Sequence, residues 1–132
     1  MNKLTTAIIL TVLFIVSCNK EEIITDPDNP LLGIWNYSGF QDNMYIYTRN
    51  LEFIDAQCYE FKNDGTLIER KNAGWCGTPP ITYADYAGTW HLLNDTLIHI
   101  KVGYWGGTLF YKLDIESVDS KFLKATLVEP DN

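Results

Sequence analysis

From Leu31 onward the chain never sustains a 3.6-residue repeat. It is a series of short β-branched and aromatic runs cut by turn residues. This pattern constrains the fold more than any other feature, because runs of this length make strands and the punctuation between them makes hairpins. The runs fall at residues 34–40, 44–48, 51–54, 57–62, 66–71, 86–93, 96–102, 108–116 and 121–128. Between them lie Asn63-Asp64-Gly65, Asn94-Asp95, Gly106-Gly107 and Asp119-Ser120. Asp-Gly and Gly-Gly supply the positive φ that two-residue hairpins use. At roughly 12 residues per strand and turn, the spacing suits an all-β barrel or sandwich. Consecutive runs are joined by tight turns, with one long loop from Ala73 to Asp85. That favours an antiparallel up-and-down barrel of about eight strands over residues 31–132, and closure also removes exposed sheet edges.

Hydrophobic residues make up 46% of the chain and aromatics 14%, which excludes a disordered tail. The formal charge of −7, from 17 acids against 10 bases, argues against a nucleic-acid partner. Enzyme signatures are missing: there is no nucleophile elbow, no His-Glu-x-x-His and no phosphate loop. Ser38, Ser117 and Ser120 have no histidine nearby in sequence, and the acids are scattered. A non-catalytic protein without a cofactor is therefore expected. His91 and His99 flank the Asn94-Asp95 turn. A three-residue loop would set them face to face, and a two-residue loop would put them on opposite faces. Either way they lack the third ligand of a tight zinc site, so no metal is expected.

The N-terminus reads as an address. Residues 1–6 carry one base, Lys3, and residues 7–16 are apolar apart from Thr11. A run of about ten residues is too short to span a bilayer core, which needs ~20, and suits a secretory signal. Ile15-Val16-Ser17-Cys18 resembles the bacterial lipobox. That resemblance implies a signal peptide at 1–17, cut before a Cys18 carrying palmitate-like acyl chains, and a tether at 18–30. Two or more chains anchor stably. Asn19 replaces the Asp that resembles an inner-membrane retention signal, which implies the outer membrane. Lys20-Glu21-Glu22 is similar to an export signal for display on the cell surface. Acylation also accounts for the odd count of three cysteines.

Within the body, Leu32-Gly33-Ile34-Trp35 looks like the Gly-x-Trp opening of lipocalins. Phe61-Lys62-Asn63-Asp64-Gly65-Thr66, Gly88-Thr89-Trp90-x-Leu92 and Asp95-Thr96-Leu97-Ile98-His99-Ile100 resemble phrases of small bacterial lipocalin-like lipoproteins. The resemblance spans residues 31–128. It implies a calycin-type barrel in which Trp35 plugs one end, Gly33 lets the chain pass close beneath, and Trp90 packs similarly. The relatives often carry cysteines on either side of the Phe-x-x-Asp-Gly hairpin, as Cys58 and Cys76 stand here. In an exported protein a Cys58–Cys76 disulfide is then expected.

A lipocalin-like barrel implies a small apolar or amphipathic ligand at its mouth or interior. Tyr45, Tyr47, Tyr59, Phe61, Trp75, Trp105 and Tyr111 are candidate lining residues. If Asp64-Gly65 is a two-residue turn, Phe61 faces Ile68 and Tyr59 faces Arg70 on the inner side. Arg70 would then hold an acidic ligand head, with Tyr59 and Phe61 along its tail. The alternative function is a protein-binding or structural surface module with a filled barrel. Its partner would meet the Ala73–Asp85 loop and the Tyr104-Trp105-Gly106-Gly107 tip.

Overall fold

The computed structural model describes residues 29–75 and 77–128. The expected signal peptide, Cys18, most of the tether, and Cys76 lie outside the described residues. The strands are β1 (Gly33–Gln41), β2 (Met44–Asn50), β3 (Cys58–Phe61), β4 (Thr66–Asn72), β5 (Tyr83–Leu92), β6 (Leu97–Tyr104), β7 (Gly107–Val118) and β8 (Phe122–Val128). They form a closed antiparallel barrel in the order β1-β2-β8-β7-β6-β5-β4-β3.

From β3 to β8 each strand pairs with the next, as an up-and-down barrel requires. The start of the chain departs from that plan. β1 sits between β2 and β3, and β2 closes the barrel against β8. Residues 51–57 carry the chain from β2 to β3 as a strap over the outer face of β1. The strand expected at 51–54 is therefore not formed. Both edges of β1 are already taken by β2 and β3, so this run has no ladder partner beside it. Its backbone bonds are isolated ones: Tyr37 N donates to Gln57 O at 2.9 Å, and Asn36 Nδ2 donates to Glu52 O at 2.9 Å.

Inward residues alternate with outward ones along the strands, as the pleat dictates, with bulges between Tyr37 and Gly39 in β1 and between Ile115 and Ser117 in β7. One end of the barrel is plugged. Trp35 is fully buried there, and its indole N–H donates to the Leu31 carbonyl at 2.7 Å. Phe61 meets Trp90 edge-on at 5.4 Å, and the Trp90 indole donates to Lys62 O at 3.1 Å. Leu67, Ile98, Ile100, Leu113 and Leu123 complete this core. Burying each such side chain is worth ~1.5–3 kcal/mol. Gly33, for which a close-passage role is expected, lies at this same end with Trp35 and Trp90. Gly33 has φ +116°, and a Cβ there would lie 2.7 Å from Arg49 Nη1.

The hairpins at the plugged end are capped by their own Asx side chains. Asp64 Oδ1 accepts from Thr66 N at 2.9 Å, Asn94 Oδ1 from Leu97 N at 2.9 Å, and Asp119 Oδ1 from Phe122 N at 2.7 Å. The first of these turns corrects an expectation. Lys62 N donates to Thr66 O and Gly65 has φ +82°, so the loop holds three residues with glycine in the left-handed position. Phe61 therefore pairs with Leu67, Tyr59 with Glu69, and Cys58 with Arg70. One residue of register turns β4 over. Leu67, Glu69 and Lys71 point inward, and Arg70 points out.

Candidate ligand-binding site

At the end opposite the plug, the barrel opens into a cavity of about 520 Å³. Tyr37, Tyr45, Tyr47, Gln57, Tyr59, Glu69, Leu109, Phe110, Tyr111, Leu113 and Leu127 line it. The volume falls in the range of ordinary small-molecule sites, ~300–1,000 Å³. The lining forms as it does because β1, β2, β3 and β7 each turn tyrosines inward one layer above the plug. Tyr37, Tyr47 and Tyr59 lie in one cross-strand sequence of rings, with centroids 6.1 Å and 5.5 Å apart.

The floor of this cavity is polar. Tyr59 and Tyr111 share a hydrogen bond between hydroxyls at 2.7 Å. Glu69 is only 5% exposed, and its Oε2 receives Lys71 Nζ at 3.0 Å. Gln57 Nε2 reaches Glu69 Oε1 at 3.3 Å. Lys71 in turn lies over the Tyr86 ring, 5.4 Å from its centroid. Burial is the main cause that pushes the Tyr47, Tyr59 and Tyr111 phenols well above their ordinary pKa, and the Glu69 charge adds to it in each. All three are therefore neutral hydroxyls at physiological pH, able to donate and accept.

The expected ligand residues divide. Tyr45, Tyr47 and Tyr59 line the cavity together with Tyr111. Phe61 lies deeper, packed on Tyr59 and Trp90 in the plug. Trp105 is 53% exposed at the β6–β7 tip, edge-on to Tyr104, and does not line the cavity. Arg70 is corrected most sharply. It stands on the outer face, where its Nε and Nη2 grip the Asp85 carboxylate at 2.7 and 3.1 Å. Nη1 donates to Ile54 O at 3.2 Å, so Arg70 pins the strap and holds no internal ligand head. The register slip described above is the reason.

Glu69 is the residue that sequence reasoning missed. β4 reads Thr-Leu-Ile-Glu-Arg-Lys, with no alternation to say which face is buried. The available signal was Gly65, since glycine closing an Asn-Asp-Gly turn suits a three-residue loop as well as a two-residue one. Cys76, the partner in the expected disulfide, lies outside the described residues. Cys58 is a buried thiol under the strap, donating to Ala56 O at 3.3 Å. Burial raises its pKa above the usual thiol range.

His91 and His99 pair across β5 and β6 with ring centroids 5.0 Å apart, as a three-residue loop requires. Among the described residues no group of three or more His, Cys, Asp or Glu could hold a metal ion. No family model matches the chain, and no curated protein or solved structure matches it.

Proposed function

We propose that this chain is an outer-membrane-anchored lipoprotein with a lipocalin-like barrel that binds a small amphipathic ligand at its open end. The observation that carries the reading is the 520 Å³ cavity, walled by tyrosines and leucines over a small polar floor. An apolar wall with a few convergent polar groups is the usual form of a binding site. The closed eight-stranded barrel supports the lipocalin-like part of the reading. The lipobox-like Ile15-Val16-Ser17-Cys18 supports the anchor. The role proposed is binding rather than catalysis.

A neutral fluorescent probe, N-phenyl-1-naphthylamine, tests the cavity. The full chain carrying Cys18→Ser, which removes the acylation site, is expected to bind it with a blue shift. Leu109→Trp, which fills the mouth, is expected to weaken binding at least ~10-fold, a loss of about 1.4 kcal/mol. Absence of binding, or binding unchanged by the filled mouth, overturns the reading. Intact mass of the unaltered protein from a Gram-negative host tests the anchor, with loss of residues 1–17 and added acyl mass on Cys18 expected.

A second reading, a surface module that binds a protein partner, is favoured by two exposed indoles. Trp75 on the β4–β5 loop is 81% exposed, and Trp105 projects from the β6–β7 tip at the same end of the barrel. Such aromatics are common anchors of protein interfaces.

A further inference from the structure

We infer that the ligand of this cavity carries a cationic head, a protonated amine on an apolar tail, and that Glu69 with the surrounding tyrosine rings receives it. The inference rests on the ligand-binding reading and narrows it to one ligand class.

The charge on the cavity lining is one-sided. Among the residues that line the cavity, Glu69 is an acid and there is no lysine, arginine or histidine. Two inward cations are close in the fold, and both are committed elsewhere. Lys71 binds Glu69 Oε2 and does not line the cavity. Arg49 lies at the plugged end, over Trp35, with its donors on the carbonyls of Pro30, Leu32 and Ser120. An anionic head entering the cavity would meet a carboxylate and find no unpaired cation to receive it.

A cationic head meets the reverse. A carboxylate has about four acceptor sites. Lys71 uses Oε2, Gln57 reaches Oε1 at 3.3 Å, and the Tyr111 hydroxyl also bonds the carboxylate, which leaves one of the four sites. Acceptor capacity remains on the wall of the cavity. Tyr37, Tyr45, Tyr47, Tyr59 and Tyr111 surround the same space, and ring faces attract cations. Burial keeps the Tyr47, Tyr59 and Tyr111 phenols neutral, so they offer lone pairs without adding a titrating charge. Toward the mouth the inward lining becomes Leu109 and Leu127, which suits a tail. The low dielectric of such a site strengthens the discrimination between heads.

Displacement of N-phenyl-1-naphthylamine from the full chain with Cys18→Ser tests this. The competitors are dodecylamine, dodecanol and dodecanoate at neutral pH, which share a tail and differ in head. Dodecylamine is expected to displace the probe at a concentration at least ~10-fold below dodecanoate, with dodecanol between them. In Glu69→Gln the preference is expected to shrink below ~3-fold while probe binding is retained. The unsubstituted site carries the ranking by itself, so the test does not depend on the variant folding. If the probe binds and dodecanoate displaces it as well as dodecylamine does, this inference is overturned and the cavity reading stands. A probe that does not bind overturns both.

Discussion

The Arg49 guanidinium lies 4.1 Å from the centroid of the Trp35 ring while donating to the carbonyls of Pro30, Leu32 and Ser120. One side chain on β2 thus ties the entry of the chain, the first strand and the β7–β8 turn to the plug. The arginine is buried, and its desolvation is offset by charge-assisted hydrogen bonds and the indole face. Arg49→Met is expected to lower stability by about 2–4 kcal/mol, because three carbonyls lose a charged donor. Arg49→Lys should recover only part of this, since an ammonium cannot fork to separate carbonyls in one plane. Urea unfolding of the three proteins measures it, and a loss under 1 kcal/mol for the Met variant would contradict the role.

Gly88 marks a second point where atoms meet closely. A Cβ there would stand 2.3 Å from Lys101 O and 2.8 Å from Val102 Cα, both backbone atoms of the neighbouring β6. Neither can move without breaking the β5–β6 ladder. Gly88→Ala is expected to cost about 2–4 kcal/mol, the scale of overpacking at a site that cannot relax. Gly39→Ala, where no atom lies within 4 Å of the added methyl, serves as the control and is expected to be nearly neutral. Thermal unfolding distinguishes them.

The Arg70–Asp85 pair predicts a pH and salt response. The hydrogen-bonded guanidinium holds the Asp85 carboxyl below the ordinary carboxylate range. A group whose folded pKa is depressed stabilises the fold fully above its unfolded value, about 3.9, and loses that contribution as pH falls through the folded value. Both side chains are partly exposed, so a double-mutant cycle of Arg70→Met and Asp85→Asn should give only about 0.5–1 kcal/mol, reduced by high salt. Probe affinity in Arg70→Met should equal that of the unsubstituted protein. A large affinity loss would place Arg70 inside the barrel after all.

The interior tyrosines predict alkaline behaviour. Burial raises the phenol pKa of Tyr47, Tyr59 and Tyr111, so the folded state holds their protons more tightly than the unfolded state does. Their contribution to stability is full below the unfolded value, near 10, and disappears as pH rises beyond it. Tyrosinate absorbance near 295 nm should therefore rise in two stages. The exposed phenols titrate first, and the buried ones appear only with the loss of near-UV dichroism. A single stage in the folded protein would contradict their burial.

Most of the fold was legible because its signals are local. Asp64, Asn94 and Asp119 each cap a turn with their own side chain, so the turns could be found from residue type. Trp35 and Trp90 are inward on either side of the plug, as large apolar residues in alternating strands should be. The strap at 51–57 was not legible, because Leu51, Phe53 and Ile54 have the composition of a strand and only the geometry of β1 denies them a partner. The candidate site depended on one residue of loop length after Phe61. Both lengths are compatible with Asn-Asp-Gly, and the choice decides whether Arg70 or Glu69 faces the cavity. Tyr45, Tyr47 and Tyr59 were identifiable regardless, since their strands do not depend on that turn.

The strap also alters where the two ends of the chain emerge. In an eight-stranded barrel whose strands strictly alternate in direction, the first and last residues leave from the same rim. Here β2 and β3 run the same way, with β1 between them. That single break in parity sends β8 upward, so Asn29 enters beside the plug and Val128 leaves beside the mouth, where Leu127 already lines the cavity. A tether on the N-terminal side would therefore hold the plugged base toward whatever it is fixed to and aim the opening outward. A tag or fusion joined after Val128 would sit over that opening, whereas one joined ahead of Asn29 would leave it clear.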